Sequence, residues 1–206
     1  MTRDSCRKSF YIKKSKQILC RNEILTMEAL ARETGISAPS LYKFFSSRES
    51  LLSSVYNCFM KEIESLINFS DKYKNPEKEF QILILKLSEY YEKYPFAVNL
   101  LIFNEKNPAF KNEEFFLILK KIKQTVIKRI LKCAEYNGIS SEKINSEMYF
   151  YILSALFYGA FSMPGNNHKT KSEEISKTFL KILSESFDSE LENTGKKSDS
   201  EELHKI

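Results

Sequence analysis

Thr26-Met-Glu-Ala-Leu30-Ala31-Arg-Glu-Thr34-Gly35-Ile36-Ser37-Ala38-Pro39-Ser40-Leu41-Tyr42-Lys43-Phe44-Phe45-Ser-Ser-Arg48-Glu49-Ser-Leu51-Leu52 is the stretch on which the reading of the whole chain turns. Thr26 stands at an N-cap position before a short helical run over 27–34, and Gly35 supplies the residue that ends it. Ser37 caps a second short helix, expected over about 38–45, with Pro39 in the first turn, where a missing N–H does no harm. Two short helices joined by a three-residue turn containing glycine make a helix-turn-helix. Leu30 and Ala31 supply the apolar side of the first helix, and Ala31 is small enough for a close crossing. Ile36, Leu41, Phe44 and Phe45 pack the second helix against the first. That leaves Ala38, Pro39, Ser40, Tyr42 and Lys43 facing outward, on a helix that fits the DNA major groove N-terminal end first.

Charge is distributed unevenly around this motif. The net charge is +5, and residues 1–50 hold ten Lys/Arg against five Asp/Glu, so the remaining 156 residues balance. A basic head on a neutral body suits a polyanionic partner; a solvated lysine-rich face is the competing reading. Hydrophobic residues at 42% and charged ones at 29% are those of a globular chain that buries a core. Five glycines and five prolines are few for a turn-rich β fold. Four scattered cysteines (Cys6, Cys20, Cys58, Cys133) without a C-x-x-C pair form neither a disulfide framework nor a zinc site, and fit a reducing, cytoplasmic setting. The uncharged stretch 148–167 is interrupted by tyrosines, serines and Pro164, and reads as a buried helix rather than a membrane span.

Elsewhere, helical periodicity and punctuation divide the chain. A basic helix is expected over 8–21. Ser46-x-x-Glu49 reads as a capping box opening a long helix with Leu51, Leu52, Val55, Tyr56, Phe59, Ile63, Leu66 and Ile67 on its buried side. Asn75-Pro76-Glu77 starts another, with Phe80, Ile84, Leu87, Tyr91 and Tyr94 in one stripe, broken at Pro95 and followed by a short helix over 96–103. Pro108 and Asn112 precede a helix with Phe115, Ile122, Val126 and Ile130 inward, ended by Asn137-Gly138. Residues 142–163 form a helix apolar nearly all round, and Thr170-x-x-Glu173 opens a last amphipathic one. The expected fold is all-α, about nine helices: a helix-turn-helix domain over 1–50, a larger helical domain over 51–190, and a polar tail over 191–206.

The motif resembles the DNA-binding segment of the TetR family of transcriptional regulators. Thr26, Leu30-Ala31, Gly35-Ile36-Ser37, Leu41-Tyr42, Phe44-Phe45 and Ser47-Arg48-Glu49 occupy that family's positions at its spacings; Ala38-Pro39 stand where members often carry Lys-Gly, which removes a cation. The resemblance implies that Thr26, Tyr42, Lys43 and Arg48 hold phosphates while Ala38, Pro39 and Ser40 meet base edges. Ser37 joins this set, with helix capping as its competing role, and core packing competes for Tyr42. The family's second domain encloses a ligand cavity. By that resemblance Tyr90, Tyr94, Phe103, Phe115, Tyr149 and Phe157 are ligand-binding candidates, with an aromatic core as the alternative.

No phosphate loop, H-E-x-x-H or G-x-S-x-G occurs, and the two histidines, His168 and His204, have no metal-ligand partners, so neither an enzyme nor a cofactor is expected. The expected protein is a homodimeric DNA-binding regulator, a repressor released from a near-palindromic double-stranded operator by a small, largely apolar effector. A regulator of the same fold without a ligand, and a helical dimer module without DNA binding, are the alternatives. The dimer is expected through 142–163 and 171–189, the latter contributing Ile175, Phe179, Ile182 and Phe187.

Overall fold

The computed structural model describes residues 3–21, 23–68, 75–98, 100, 113–138, 140, 145–162 and 172–182. Within them the chain is helical: α1 (Arg3–Cys20), α2 (Met27–Thr34), α3 (Ala38–Leu41), α4 (Arg48–Ile67), α5 (Pro76–Lys93), a 3-10 turn (Pro95–Val98), α6 (Glu113–Tyr136), α7 (Ser146–Ser162) and α8 over 172–182. No strand occurs among the described residues. The tail over 191–206, Phe103, Phe187 and the Thr170 start signal lie outside them.

Local chemistry explains most of the boundaries. Thr26 Oγ1 accepts from the Ala29 N–H at 3.0 Å, and Gly35 closes α2 at φ 69°, a left-handed conformation that a side chain would strain. Asn75 Oδ1 accepts from the Glu77 and Lys78 N–H groups, with Pro76 in the first turn of α5. Gly138 takes φ 78° after α6. Three expectations need correction. Helix α1 begins at Arg3, five residues early. The α4 cap is Ser47, whose hydroxyl accepts from the Ser50 N–H at 3.1 Å; Ser46 is bypassed. Helix α3 is a single turn, and residues 42–44 continue as tight turns in which Phe44 and Phe45 N–H both donate to Leu41 O. The short helix expected over 96–103 opens as a 3-10 turn over Pro95–Val98, with Leu100 helical beyond it; residues 99 and 101–103 lie outside the described residues.

Helices α1–α3 form the head. Leu30, Leu41 and Phe45 are fully buried there, beside Ile18 and Leu25. Helix α4 leaves the head and runs along α6, its most extensive partner, with α5 on its other flank. The body closes where α5, α6 and α7 meet: Leu51, Phe59, Ile63, Phe80, Ile84, Tyr91, Phe115, Ile130 and Phe157 are buried to within 1 or 2%. Helix α8 docks through Phe179, whose ring stacks on Phe80 at 5.1 Å and meets Tyr149 edge-on at 6.2 Å. Phe179 and Ile175 therefore serve the chain's own core, contrary to the dimer role expected for them.

One ion pair sits inside this core. Arg129 Nε donates to Glu79 Oε1 at 2.9 Å across α5 and α6, with side chains 7% and 4% exposed. Truncating one partner strands the other charge, which typically costs about 3–5 kcal/mol, whereas replacing both by apolar residues is often close to neutral. Arg129→Met should accordingly lower unfolding free energy in urea by about that amount. Adding Glu79→Leu to it should restore most of the loss; a double variant no better than the single one would show that the pair acts independently.

Candidate nucleic-acid interface

The head presents the end of α2, the turn and α3 as one exposed lip. Leu30, Ala31, Leu41 and Phe45 face inward and anchor it, and Phe44 packs its ring edge-on against Tyr11 of α1 at 5.1 Å. What remains outside follows from the single turn of α3. Pro39 is exposed in the first turn, Tyr42 is 50% exposed, and Lys43 is exposed. Core packing, the competing role for Tyr42, is thus not the one it has. Ala38 is half-buried against the core and Ser40 half-buried beside it.

Ser37 does not play the capping role that competed with DNA contact. Ser37 has cap-like backbone angles but makes no side-chain cap; its hydroxyl pairs with that of Ser40 at 2.8 Å. The Ser40 N–H is satisfied instead by the Ser37 carbonyl at 2.9 Å. Both hydroxyls therefore stand at the entrance to the recognition turn, joined to each other. The hydroxyl that donates in this pair can still accept from a ligand, and the other can still donate to one.

Arg48 and Thr26 are the scaffold of the site. Arg48 Nε donates to the Leu25 carbonyl at 2.7 Å, tying the start of α4 to the residue before the α2 cap. Thr26 is occupied as that cap. Lys14 of α1 and Arg21 just beyond its end both reach Glu33 on α2, at 3.4 and 2.9 Å, and Arg21 also pairs with Glu23 at 2.7 Å. The Arg21 hydrogen bond, with Lys14 behind it, holds the Glu33 carboxyl below its ordinary range. Part of the basic excess is thus internal stapling. Arg7, Lys8, Lys13, Arg32 and Lys43 are exposed and make no ion pair among the described residues. Sequence reasoning missed Arg7, Lys8, Lys13 and Arg32 as candidates, because a count of charges does not tell them from Lys14 and Arg21, which are paired.

The expected ligand residues do not converge on one point. Tyr90 and Tyr94 touch each other, at 5.0 Å between rings, on the side facing α1. The Tyr90 hydroxyl donates to Glu62 at 2.7 Å, and burial followed by that carboxylate pushes its pKa far up. Phe115 is buried near the start of α6 against Phe116. Tyr149 lies against Phe179, while Phe157 meets Tyr91 edge-on at 5.3 Å. Two buried hydroxyls on α5, Ser88 Oγ and Tyr91 Oη, have no hydrogen-bond partner among the described residues.

No helix among the described residues is long and apolar enough to cross a membrane, and no cluster of three metal-ligating side chains occurs among them. No curated protein sequence matches the chain. Residues 23–55 match the model of the bacterial regulatory proteins, tetR family. Solved structures share the architecture across nearly their full length. The TetR family transcriptional regulator PfmR from Thermus thermophilus is 13% identical with a TM-score of 0.64, over 84% of this chain and 96% of that one. The transcriptional regulator FadR from Bacillus subtilis, in complex with stearoyl-CoA, is 14% identical with a TM-score of 0.60, over 84% and 95%. RolR in complex with resorcinol is 12% identical with a TM-score of 0.57, over 87% and 88%. The helix-turn-helix of this chain is that of the TetR family, and the chain as a whole takes the fold of the family's transcriptional regulators.

The two kinds of cation should separate in measurement. Arg48→Ala removes a charge-assisted bond inside the head and should cost about 1.5–3 kcal/mol of unfolding free energy in urea. Lys43→Ala should change stability by no more than about 0.5 kcal/mol. Equal stability losses for the two would contradict the division between scaffold and surface.

Proposed function

We propose that the protein is a homodimeric transcriptional repressor that binds a near-palindromic duplex through the lip around α3 and leaves it when a small, largely apolar molecule enters the body. The observation that carries the DNA reading is the division within the motif. Its apolar residues are buried under the lip, and Ser37, Pro39, Tyr42 and Lys43 are left outside, with no acidic side chain between them. Tyr42, Lys43 and the Ser37 hydroxyl would bond phosphates, and Ala38, Pro39 and Ser40, short enough for close approach, would meet base edges. Thr26 and Arg48 would act on DNA mainly by holding α2 and α4 in register.

The dimer rests on α7. Met148, Tyr151 and Tyr158 are 46, 54 and 37% exposed, and Ala155 and Gly159 are exposed beside them at helical spacing. So continuous an apolar stripe calls for a partner, and a second copy would supply the same stripe across a two-fold. A Cβ at Gly159 would meet nothing within 4 Å among the described residues, so Gly159→Arg should leave the protomer fold intact. Sedimentation should then report monomers with an unchanged helical signal; a Gly159→Arg dimer would remove this face from the proposal.

Support for a ligand comes from Ser88 and Tyr91. Their orphaned hydroxyls lie on α5, where the Tyr91 ring meets Phe157 and Phe161 of α7, and a closed core gains nothing from unsatisfied polar atoms. A guest that parts α5 from α7 would bond them, with the Phe157 ring as a wall. FadR was solved with stearoyl-CoA and RolR with resorcinol, so ligands of quite different size are found in proteins of this fold. Coupling to DNA is expected to be worth about 1–3 kcal/mol, in both directions by linkage.

Selection from random duplexes tests the central reading. The full-length dimer should enrich a near-palindrome, and its affinity should fall linearly on logarithmic salt axes. Lys43→Ala should weaken all sequences alike and reduce the salt slope by about 1, whereas Ser40→Ala should change which bases are preferred. No salt-sensitive enrichment of any duplex would leave the helical dimer module as the better description.

A further inference from the structure

Between α1 of the head and α4 and α5 of the body lies a second feature that the DNA lip does not use. A cavity of about 600 Å³ opens there, with Lys8, Lys13 and Lys16 along its α1 wall and Glu62 as the acid of the opposite wall. Ile12 and the Tyr94 ring supply apolar surface between them.

The charges do not cancel. Lys16 is 5% exposed, pairs with Glu62 through its ammonium, and is held over the rings of Phe59 and Tyr94 at 4.4 and 4.3 Å. Glu62 is matched by that ammonium and by the Tyr90 hydroxyl; burial pushes its carboxyl up, and these two partners bring it below the ordinary carboxylate range. Lys8 and Lys13 are left without an anionic partner among the described residues; Lys8 only reaches the Phe45 ring at 5.4 Å. The rim is doubly positive around a floor that is partly aromatic.

We propose that this junction is a binding site for a small organic anion, a carboxylate with an apolar or aromatic body. The carboxylate would sit between Lys8 and Lys13, and the body would lie on Ile12 and the Tyr94 ring. Charge complementarity selects the anion, and the apolar wall selects an organic one over an inorganic one. Since α1 belongs to the head and α4 and α5 to the body, an occupant bridges the two. The site is separate from the α5–α7 core, so it stands or falls independently of the ligand reading above.

Calorimetric titration of the full-length protein with sodium phenylacetate, 2-phenylethanol and inorganic phosphate tests it. Phenylacetate should bind one per chain, at least about tenfold tighter than either other probe, and more weakly as salt rises. Lys8→Met with Lys13→Met, both at exposed positions, should reduce that affinity at least about fivefold while the helical signal is retained. In methyl-labelled spectra the Ile12 signal should move and that of Ile175 should not. Equal binding of the neutral alcohol, phosphate binding as tightly as phenylacetate, no binding of phenylacetate, or movement at Ile175 without Ile12 would each overturn the proposal. So would lysine variants that lose only DNA affinity, which would make those side chains phosphate contacts of the head.

Discussion

Lys16 extends from a helix of the head into a space walled by Phe59, Tyr90 and Tyr94, where an unpartnered ammonium would not be tolerated. Glu62 is the group that makes its position possible, and Tyr90 in turn satisfies Glu62. Three helices are thereby committed to one another through three side chains. Head and body meet through this polar knot as well as through apolar packing, and polar bonds are directional where apolar contacts are not. That is why the junction defines an orientation of α1 against α4, and why a charged molecule arriving there has something specific to act on.

The parts of this protein that depend on periodicity were readable in its residues. The inward stripe of α4, from Leu51 to Ile67, is buried as its 3.6-residue spacing requires, with only Leu66 half-exposed. Caps were readable where the candidate was unique, as with Thr26 and Asn75. They were ambiguous where two serines adjoin: Ser46 and Ser47 are interchangeable in composition. The outcome goes with tertiary geometry: in the helix that opens at Arg48, that guanidinium reaches the Leu25 carbonyl. Local pattern carries no information about a bond between residues 23 apart, or about Lys16 meeting Glu62 46 positions away.

The candidate site divides along the same line. Outward placement of Tyr42 and Lys43 followed from the apolar residues that flank them. The engagement of Arg48, Lys14 and Arg21 in internal bonds did not, because a count of charges cannot distinguish a cation that staples two helices from one that waits for a phosphate. Aromatic composition carries no information about neighbours either: Tyr90 bonds Glu62, Tyr149 meets Phe179 and Phe157 meets Tyr91. For α8, amphipathicity identified the buried face correctly but not what buries it, and Phe179 turned out to stack on Phe80 of its own chain.

Helix α4 is an unbroken rod of 20 residues from Arg48 to Ile67, with no proline or glycine to bend it. At about 1.5 Å per residue it spans about 30 Å, so a tilt of about 6° pivoting at one end displaces the other by about 3 Å. That displacement is as long as a hydrogen bond, and a contact stretched by its own length no longer exists. A rod of this length and stiffness thus converts a tilt of a few degrees into a displacement at Arg48 on the scale of a hydrogen bond.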